Sequence, residues 1–217
     1  ADLERYHRVN VEGTLNVLLF AKKHNVKRVV FTSSSDVYGE QNKYPTGEGV
    51  MPFPPDPYGL QKYIGEQYCL LFTRIYGLET NVLRLFNTYG ERMNLSYSAL
   101  IPYIIETIKK GEDLVIHKYI ENEHSRDYIF IDDVIEALVK AGLSEIYGGV
   151  FNIGTGISTT APEMVDIIQS KFNRKSNIVD DNPVNEPIKT QADIRRAKEL
   201  LGWEPKVSLS EGLDKLI

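Results

Sequence analysis

The sequence predicts an α/β fold in which a parallel sheet is flanked by helices and followed by a smaller, mixed lobe. Three observations carry that expectation. Helical and strand-like patterns alternate through the first half of the chain. The strand-like runs are apolar without alternation, as in parallel strands covered on both faces. Polar, glycine-bearing stretches follow those runs directly, at the carboxyl ends where open α/β sheets bind ligands.

Residues 3 to 24 place Val9, Val17, Leu18, Phe20 and Ala21 at helical spacing and close on Lys22, Lys23 and His24, cations that suit a helix C-terminus. Asn25 follows as a C-cap. VKRVVFTS reads as a buried strand, and a loop bearing glycine and proline fills residues 39 to 57. Tyr58 to Tyr76 forms a second helix with Ile64, Cys69, Leu71, Phe72 and Ile75 on its apolar face, and TNVLRLFN is a second strand. Helix, strand, helix, strand implies right-handed crossovers and a parallel sheet. Beyond residue 88 the elements are less regular. A helix from about Ala99 to Lys110 precedes strands at Leu114 to His117 and at DYIFI. IDDVIEALVKAG is a helix capped by Asp132 or Asp133, GGVFNIG a short strand, and PEMVDIIQSKF a helix with Pro162 in its first turn. ADIRRAKELLGW is a last amphipathic helix. The expected division is 1–87, the sheet portion, and 88–217, mostly a second lobe with some segments returning to the sheet.

Composition narrows the function. Hydrophobic residues at 42% and charged residues at 25% are the balance of a soluble globular protein with a sizeable core. A net charge of −5 with no basic run gives no footprint for nucleic acid. No apolar stretch approaches the roughly 20 residues of a membrane span, and no secretory signal is read, although the chain does not begin with Met. The single cysteine, Cys69, has no intrachain disulfide partner, lies in the apolar pattern YCLLF and reads as a small core residue. A reducing, cytoplasmic setting is therefore expected. His117 and His124 stand among Glu121 and Glu123 without the ligand spacing of a zinc site, so no metal is expected.

Tyr58 and Lys62 are spaced i, i+4 at the start of the second helix and project from one face. A free tyrosine, with a pKa near ~10, is a poor base at neutral pH. A neighbouring ammonium favours the phenolate and brings it toward the working range. The spacing alone is also that of an aromatic and a snorkelling lysine on a helix surface. The combination is more specific: SSSDVYG ends the first strand, PPDPYGLQK opens the helix, and LRLFNTYGER ends the next strand.

These segments, with NVEGTLNVL, SRDYIFIDDV, FNIGTG and AKELLGWEPKVSLSEGL in the same order, resemble the extended short-chain dehydrogenase/reductases of the NAD-dependent nucleotide-sugar epimerase/dehydratase family, in the manner of the UDP-glucose 4-epimerases. The resemblance covers almost the whole chain. It implies a Rossmann-like doubly wound sheet with a substrate lobe, NAD as cofactor, a UDP-sugar or similar nucleotide-diphosphate sugar as substrate, and a homodimer built on residues 3 to 24 and 58 to 76. It makes Tyr58 the acid/base, Lys62 the group that lowers its pKa and holds the nicotinamide ribose, and Ser34 a hydrogen-bond partner of the reacting sugar hydroxyl. Ser33 and Asn10 join Tyr58 and Lys62 on the cofactor side. Asn87 contacts substrate, Arg126 reaches the diphosphate, and Asp193 lies near the nucleotide ribose. Each has a plainer alternative: Ser34 a strand-end cap, Asn87 a turn residue, Arg126 an ion pair with Asp127, Asp132 or Asp133, and Asp193 a helix cap.

Departures from the family pattern bear on the reaction. The glycine-rich fingerprint that seats the cofactor pyrophosphate is not in these 217 residues, and Gly154-Thr155-Gly156 is a decoy for it. The chain is thus expected to be a C-terminal part of such an enzyme, inactive and weak in NAD binding by itself, with apolar faces exposed. HKYIENEHS is longer and more charged than the usual loop, and PVNEPIKTQAD retains Lys189 where relatives are arginine-rich. A 4-epimerase of the family needs Ser34, Tyr58, Lys62 and NAD alone. A 4,6-dehydratase or a nucleotide-glucuronate decarboxylase needs a further carboxyl group, and Asp36 stands at that position. Epimerase is the leading expectation, decarboxylase or dehydratase chemistry through Asp36 the alternative. A non-catalytic dinucleotide-binding relative is the rival of another class, and the retained Tyr–Lys pair opposes it.

Overall fold

The computed structural model describes residues 3–93, 99–117, 124–172, 178–181 and 188–217. The first predicted helix is one continuous rod. Helix α1 (Leu3–His7) runs through a π-helical turn (Arg8–Glu12) into α2 (Gly13–Lys23). It stops at His24, and Asn25 takes a φ of 53°, a left-handed conformation that asparagine tolerates. Strand β1 (Arg28–Ser34) leads into a single 3-10 turn at Ser35–Val37. Helix α3 (Pro57–Tyr76) begins where Asp56 accepts the Gly59 N–H at 2.7 Å, with Pro57 pre-set for its first turn.

Strand β2 (Glu79–Leu85) is central in a parallel sheet, with β1 on one edge and β6 (Gly149–Ile153) on the other. The register aligns Ser34, Leu85 and Ile153, so three strands end along one line. β6 lies beyond residue 88 in sequence and returns to the sheet. A second sheet pairs β3 (Asn87–Tyr89) parallel to β5 (Ser125–Phe130), with β7 (Ser158–Thr160) antiparallel to β5. β4 (Leu114–His117) pairs with β8 (Ile178–Asp181). Helices α4 (Leu100–Lys110), α5 (Ile131–Leu143), α6 (Ala161–Phe172), α7 (Arg195–Leu201) and α8 (Leu209–Asp214) cover these sheets.

Three apolar clusters hold the layers together. Leu18, Ala21, Cys69, Phe72 and Val82 fill the space between α2, α3 and the sheet. Leu83, Phe151, Ala137 and Trp203 pack the opposite face against α5 and α7. Ile104, Ile108, Phe130 and Met164 form the core of the second lobe. Each buried leucine, isoleucine, valine, phenylalanine or methionine among them contributes about 1.5–3 kcal/mol by leaving water. Beside β1 an apolar groove runs between Val9, Val17, Val29 and Phe31.

Two expectations about helix ends are corrected. Neither Asp132 nor Asp133 caps α5, because the helix starts at Ile131 and Phe130 holds the cap position without a side-chain bond. Asp133 instead turns inward and accepts the Lys206 and Val207 N–H groups, both at 3.0 Å. ADIRRAKELLGW is helical over Arg195–Leu201 alone, since Trp203 leaves the helix to bury its ring and donate to the Asp133 carbonyl at 2.9 Å. Helix α8 was unread, although Ser208 and Glu211 form a capping box at its start. Residues 118–123, the core of the long charged segment HKYIENEHS, and 182–187, which include the start of PVNEPIKTQAD, lie outside the described residues.

Candidate active site

The site forms where β1 ends. Successive side chains on a strand point to opposite faces, and Ser33 and Ser34 diverge accordingly. The Ser34 hydroxyl oxygen accepts the Asp36 N–H at 3.2 Å and so caps the 3-10 turn, the plainer role read for it, without preventing its O–H from donating elsewhere. Ser33 corrects an expectation. Its side chain is 3% exposed and its hydroxyl donates to Glu66 of α3 at 2.5 Å, so it has no surface to offer a cofactor.

Helix α3 places Tyr58 and Lys62 one turn apart beside β1. The Lys62 ammonium donates to the Thr32 carbonyl at 3.0 Å and lies 5.7 Å from the Tyr58 ring centroid. Burial lowers the Lys62 pKa from its ordinary value. Tyr58, in the first turn of α3, is 42% exposed, so its ring is open to solvent. Asn10 reaches the same helix from the π-helical turn, its amide donating to Gln61 at 2.9 Å. A widened helical turn of this kind re-aims a side chain and is frequent at functional sites.

Asn87 is exposed at the start of β3, just after Phe86 leaves the first sheet by donating its N–H to the Ile153 carbonyl at 2.9 Å. Arg126 lies on β5 and donates to the carbonyls of Ser125 and Ile188 at 3.1 and 3.3 Å. Asp193 grips Arg195 at 2.6 Å, and that hydrogen bond holds its carboxyl below the usual carboxylate range. Ile194 holds the α7 cap position, and Asp193 accepts the Arg195 N–H at 3.1 Å.

Asp127, read in the sequence only as an ion-pair partner for Arg126, joins the last two segments. Asp127 is fully buried and accepts four hydrogen bonds: Thr155 N–H at 2.7 Å, Thr155 hydroxyl at 2.6 Å, Gly156 N–H at 2.9 Å and Ala192 N–H at 3.0 Å. Burial nonetheless raises its pKa, against the pull of those bonds. Arg126 precedes it in sequence, and Asp193 follows the Ala192 whose N–H it accepts, so one carboxylate ties together the backbone beside both. The Gly154-Thr155-Gly156 turn therefore already cradles an internal anion, which agrees with its reading as a decoy for a phosphate loop. The signal was legible in part: RD at the start of a strand and GTG after one were both present, but not their meeting.

For NAD, the chain's own residues suit the nicotinamide end, where Tyr58 and the Lys62 ammonium flank the open end of β1. Among the described residues no cluster of His, Cys, Asp or Glu could hold a metal ion, and no helix is long and apolar enough to cross a membrane.

The family described as NAD dependent epimerase/dehydratase matches residues 1–154. A putative UDP-glucose 4-epimerase of Methanocaldococcus jannaschii is 35% identical over 212 residues, 96% of this chain and 68% of that protein. UDP-glucuronic acid decarboxylase 5 of Arabidopsis thaliana is 32% identical over 213 residues, 95% of this chain and 61% of that protein. The crystal structure of a UDP-glucose 4-epimerase of Thermotoga maritima with UDP-glucose superposes with a TM-score of 0.90 at 35% identity, over 99% of this chain and 70% of that one.

Proposed function

The chain belongs to the NAD-dependent epimerase/dehydratase family, and from that premise we propose that it acts as a nucleotide-sugar 4-epimerase. Bound NAD supplies the acceptance and return of a hydride at the sugar C4. Tyr58 takes the proton of the C4 hydroxyl on its phenolic oxygen and gives it back. Lys62 favours the phenolate and holds the nicotinamide ribose, and Ser34 orients the reacting hydroxyl. Asn10 supports the cofactor side through Gln61. Asn87 contacts the sugar, Arg126 the diphosphate and Asp193 the nucleotide ribose, which makes a nucleotide-diphosphate sugar the substrate class, with a UDP-sugar the leading member. The observation that carries this reading is the Lys62 ammonium fixed on the Thr32 carbonyl beside a half-exposed Tyr58, at the strand end that presents Ser34.

A homodimer would use the outward face of α3, where Leu60, Ile64, Tyr68, Leu71 and Arg74 line an apolar groove. A reducing, cytoplasmic compartment suits the buried Cys69, whose thiol pKa burial pushes up to about 12.

One observation favours a second reading, nucleotide-glucuronate decarboxylation or 4,6-dehydration. Asp36 rides on the turn that Ser34 caps, so a carboxylate shares the backbone of the proposed sugar contact. Asp36→Asn separates the two when the full-length protein is assayed with NAD and UDP-sugars. The 4-epimerase reading expects C4 inversion to survive with kcat within about threefold; loss of turnover in Asp36→Asn would assign the carboxylate to the chemistry.

A further inference from the structure

Behind the Tyr58–Lys62 pair lies a buried polar chain that the proposed reaction does not use. Glu66 follows Lys62 by one helical turn and Tyr58 by two, so all three share a face of α3. Glu66 is fully buried, and its carboxylate accepts the Ser33 hydroxyl at 2.5 Å, Arg84 Nε at 2.9 Å and Arg84 Nη2 at 2.7 Å. Arg84 is the penultimate residue of β2, where the apolar run VLRLF gives no reason for a cation. Its guanidinium carbon lies 4.6 Å from the Tyr38 ring centroid. The Tyr38 hydroxyl donates to Asn152 Oδ1 at 2.7 Å, and the Asn152 amide donates to the carbonyls of Thr46 and Asp193 at 2.8 and 3.3 Å. Burial pushes the Tyr38 pKa up to about 12, which keeps that hydroxyl a donor. Ser33 adjoins Ser34, and Tyr38 closes the turn that holds Asp36.

We propose that the Glu66–Arg84 pair is a positioning device that sets the rotation of α3, and so the placement of Tyr58 and Lys62 against Ser34. A buried ion pair is a poor source of stability, because desolvating both charges offsets their attraction and well-packed apolar residues often do as well. What a bidentate guanidinium–carboxylate fork supplies is direction. The spacing of α3 is already set by two glycines. A Cβ at Gly59 would meet the Asp36 carbonyl oxygen at 2.7 Å, and one at Gly65 would meet the Phe31 ring at 2.5 Å. Such close contact fixes how near the helix lies, and the packing of Cys69 and Phe72 with the Lys62 bond to Thr32 constrains its rotation in part. Glu66, tied at once to β1 through Ser33 and to β2 through Arg84, adds the directional hold at the turn next to Lys62. The Ser33 hydroxyl is then a positioning group and not a cofactor ligand.

This inference rests on the epimerase-family reading of Tyr58, Lys62 and Ser34, and its test separates the two. The full-length protein is compared as wild type, Glu66→Gln, and the double variant Glu66→Leu/Arg84→Met, in which neither charge is left unpaired. Glu66→Gln should lower the melting temperature, and the double variant should recover most of it. In the double variant kcat for C4 inversion should stay at least tenfold down with KM within about twofold, since Glu66 touches neither substrate nor cofactor. Amide exchange at residues 57–64 and 33–36 should rise together in that variant, a readout that needs no turnover. Ser33→Ala, the mildest cut, should show the same kcat loss in smaller degree. Recovery of both stability and kcat in the double variant, or unchanged exchange at these two segments, would reduce the pair to packing and overturn the proposal. A wild type without C4 inversion would remove the epimerase reading, and the exchange result would still decide for or against the pair.

Discussion

At the residue scale the chemistry rests on Tyr58, and the expected cost of removing its hydroxyl is that of losing a general acid/base. Tyr58→Phe should lower kcat by about 10²–10⁴-fold with a small change in KM, as steady-state kinetics of the full-length protein would record. Lys62 carries a pH signature that needs no substrate. Burial lowers its pKa from the ordinary lysine value, so as pH rises the folded chain releases that proton before the unfolded chain does. Between the two values the unfolded state holds more protons, and stability rises with pH. Lys62→Met removes that rise. Urea titrations at neutral and alkaline pH should therefore show the stability difference moving in favour of the wild type as pH increases. The i, i+4 pair itself was legible because both residues sit on one helix. The Ser33 hydroxyl was not, because its partner Glu66 is 33 residues away and meets it only after α3 packs on β1.

At the element scale the helix starts show which local signals survive packing. Asp56 and Pro57 mark the start of α3, and Ser208 with Glu211 the start of α8, through contacts within four residues. Asp132 and Asp133 carried the same chemical signature, but the backbone N–H groups of Lys206 and Val207 claim Asp133 from more than 70 residues away. Asp127 is the long-range counterpart in the site, tying β5, the Gly154–Gly156 turn and Ala192 together. Asp127→Asn turns an amide donor toward those donors and leaves at least one buried N–H unpaired, a loss of about 1–3 kcal/mol. The denaturant midpoint should fall with the slope unchanged. Gly65→Ala tests the close seat of α3, since its Cβ would meet Phe31 Cζ at 2.5 Å. Overpacking of that kind costs about 1–3 kcal/mol, and the melting temperature should fall accordingly.

At the scale of the molecule, register does the assembling. Ser34, Leu85 and Ile153 align across three parallel strands, so the segments after them (Asp36, Asn87 and the Gly154–Gly156 turn) gather at one end of the sheet. That gathering was readable from the order of apolar runs and polar endings. The β3–β5–β7 and β4–β8 sheets were not, because their short strands pair across long separations and leave little periodicity. With no glycine-rich fingerprint among its 217 residues, the chain by itself should bind NAD weaker than micromolar in a calorimetric titration. The most direct test of the proposed chemistry uses the full-length protein, NAD and a UDP-hexose deuterated at C4. The product should be the C4 epimer with deuterium retained at C4, formed by the wild type and not by Tyr58→Phe. Absence of C4 inversion in the wild type, or inversion undiminished in Tyr58→Phe, would contradict it.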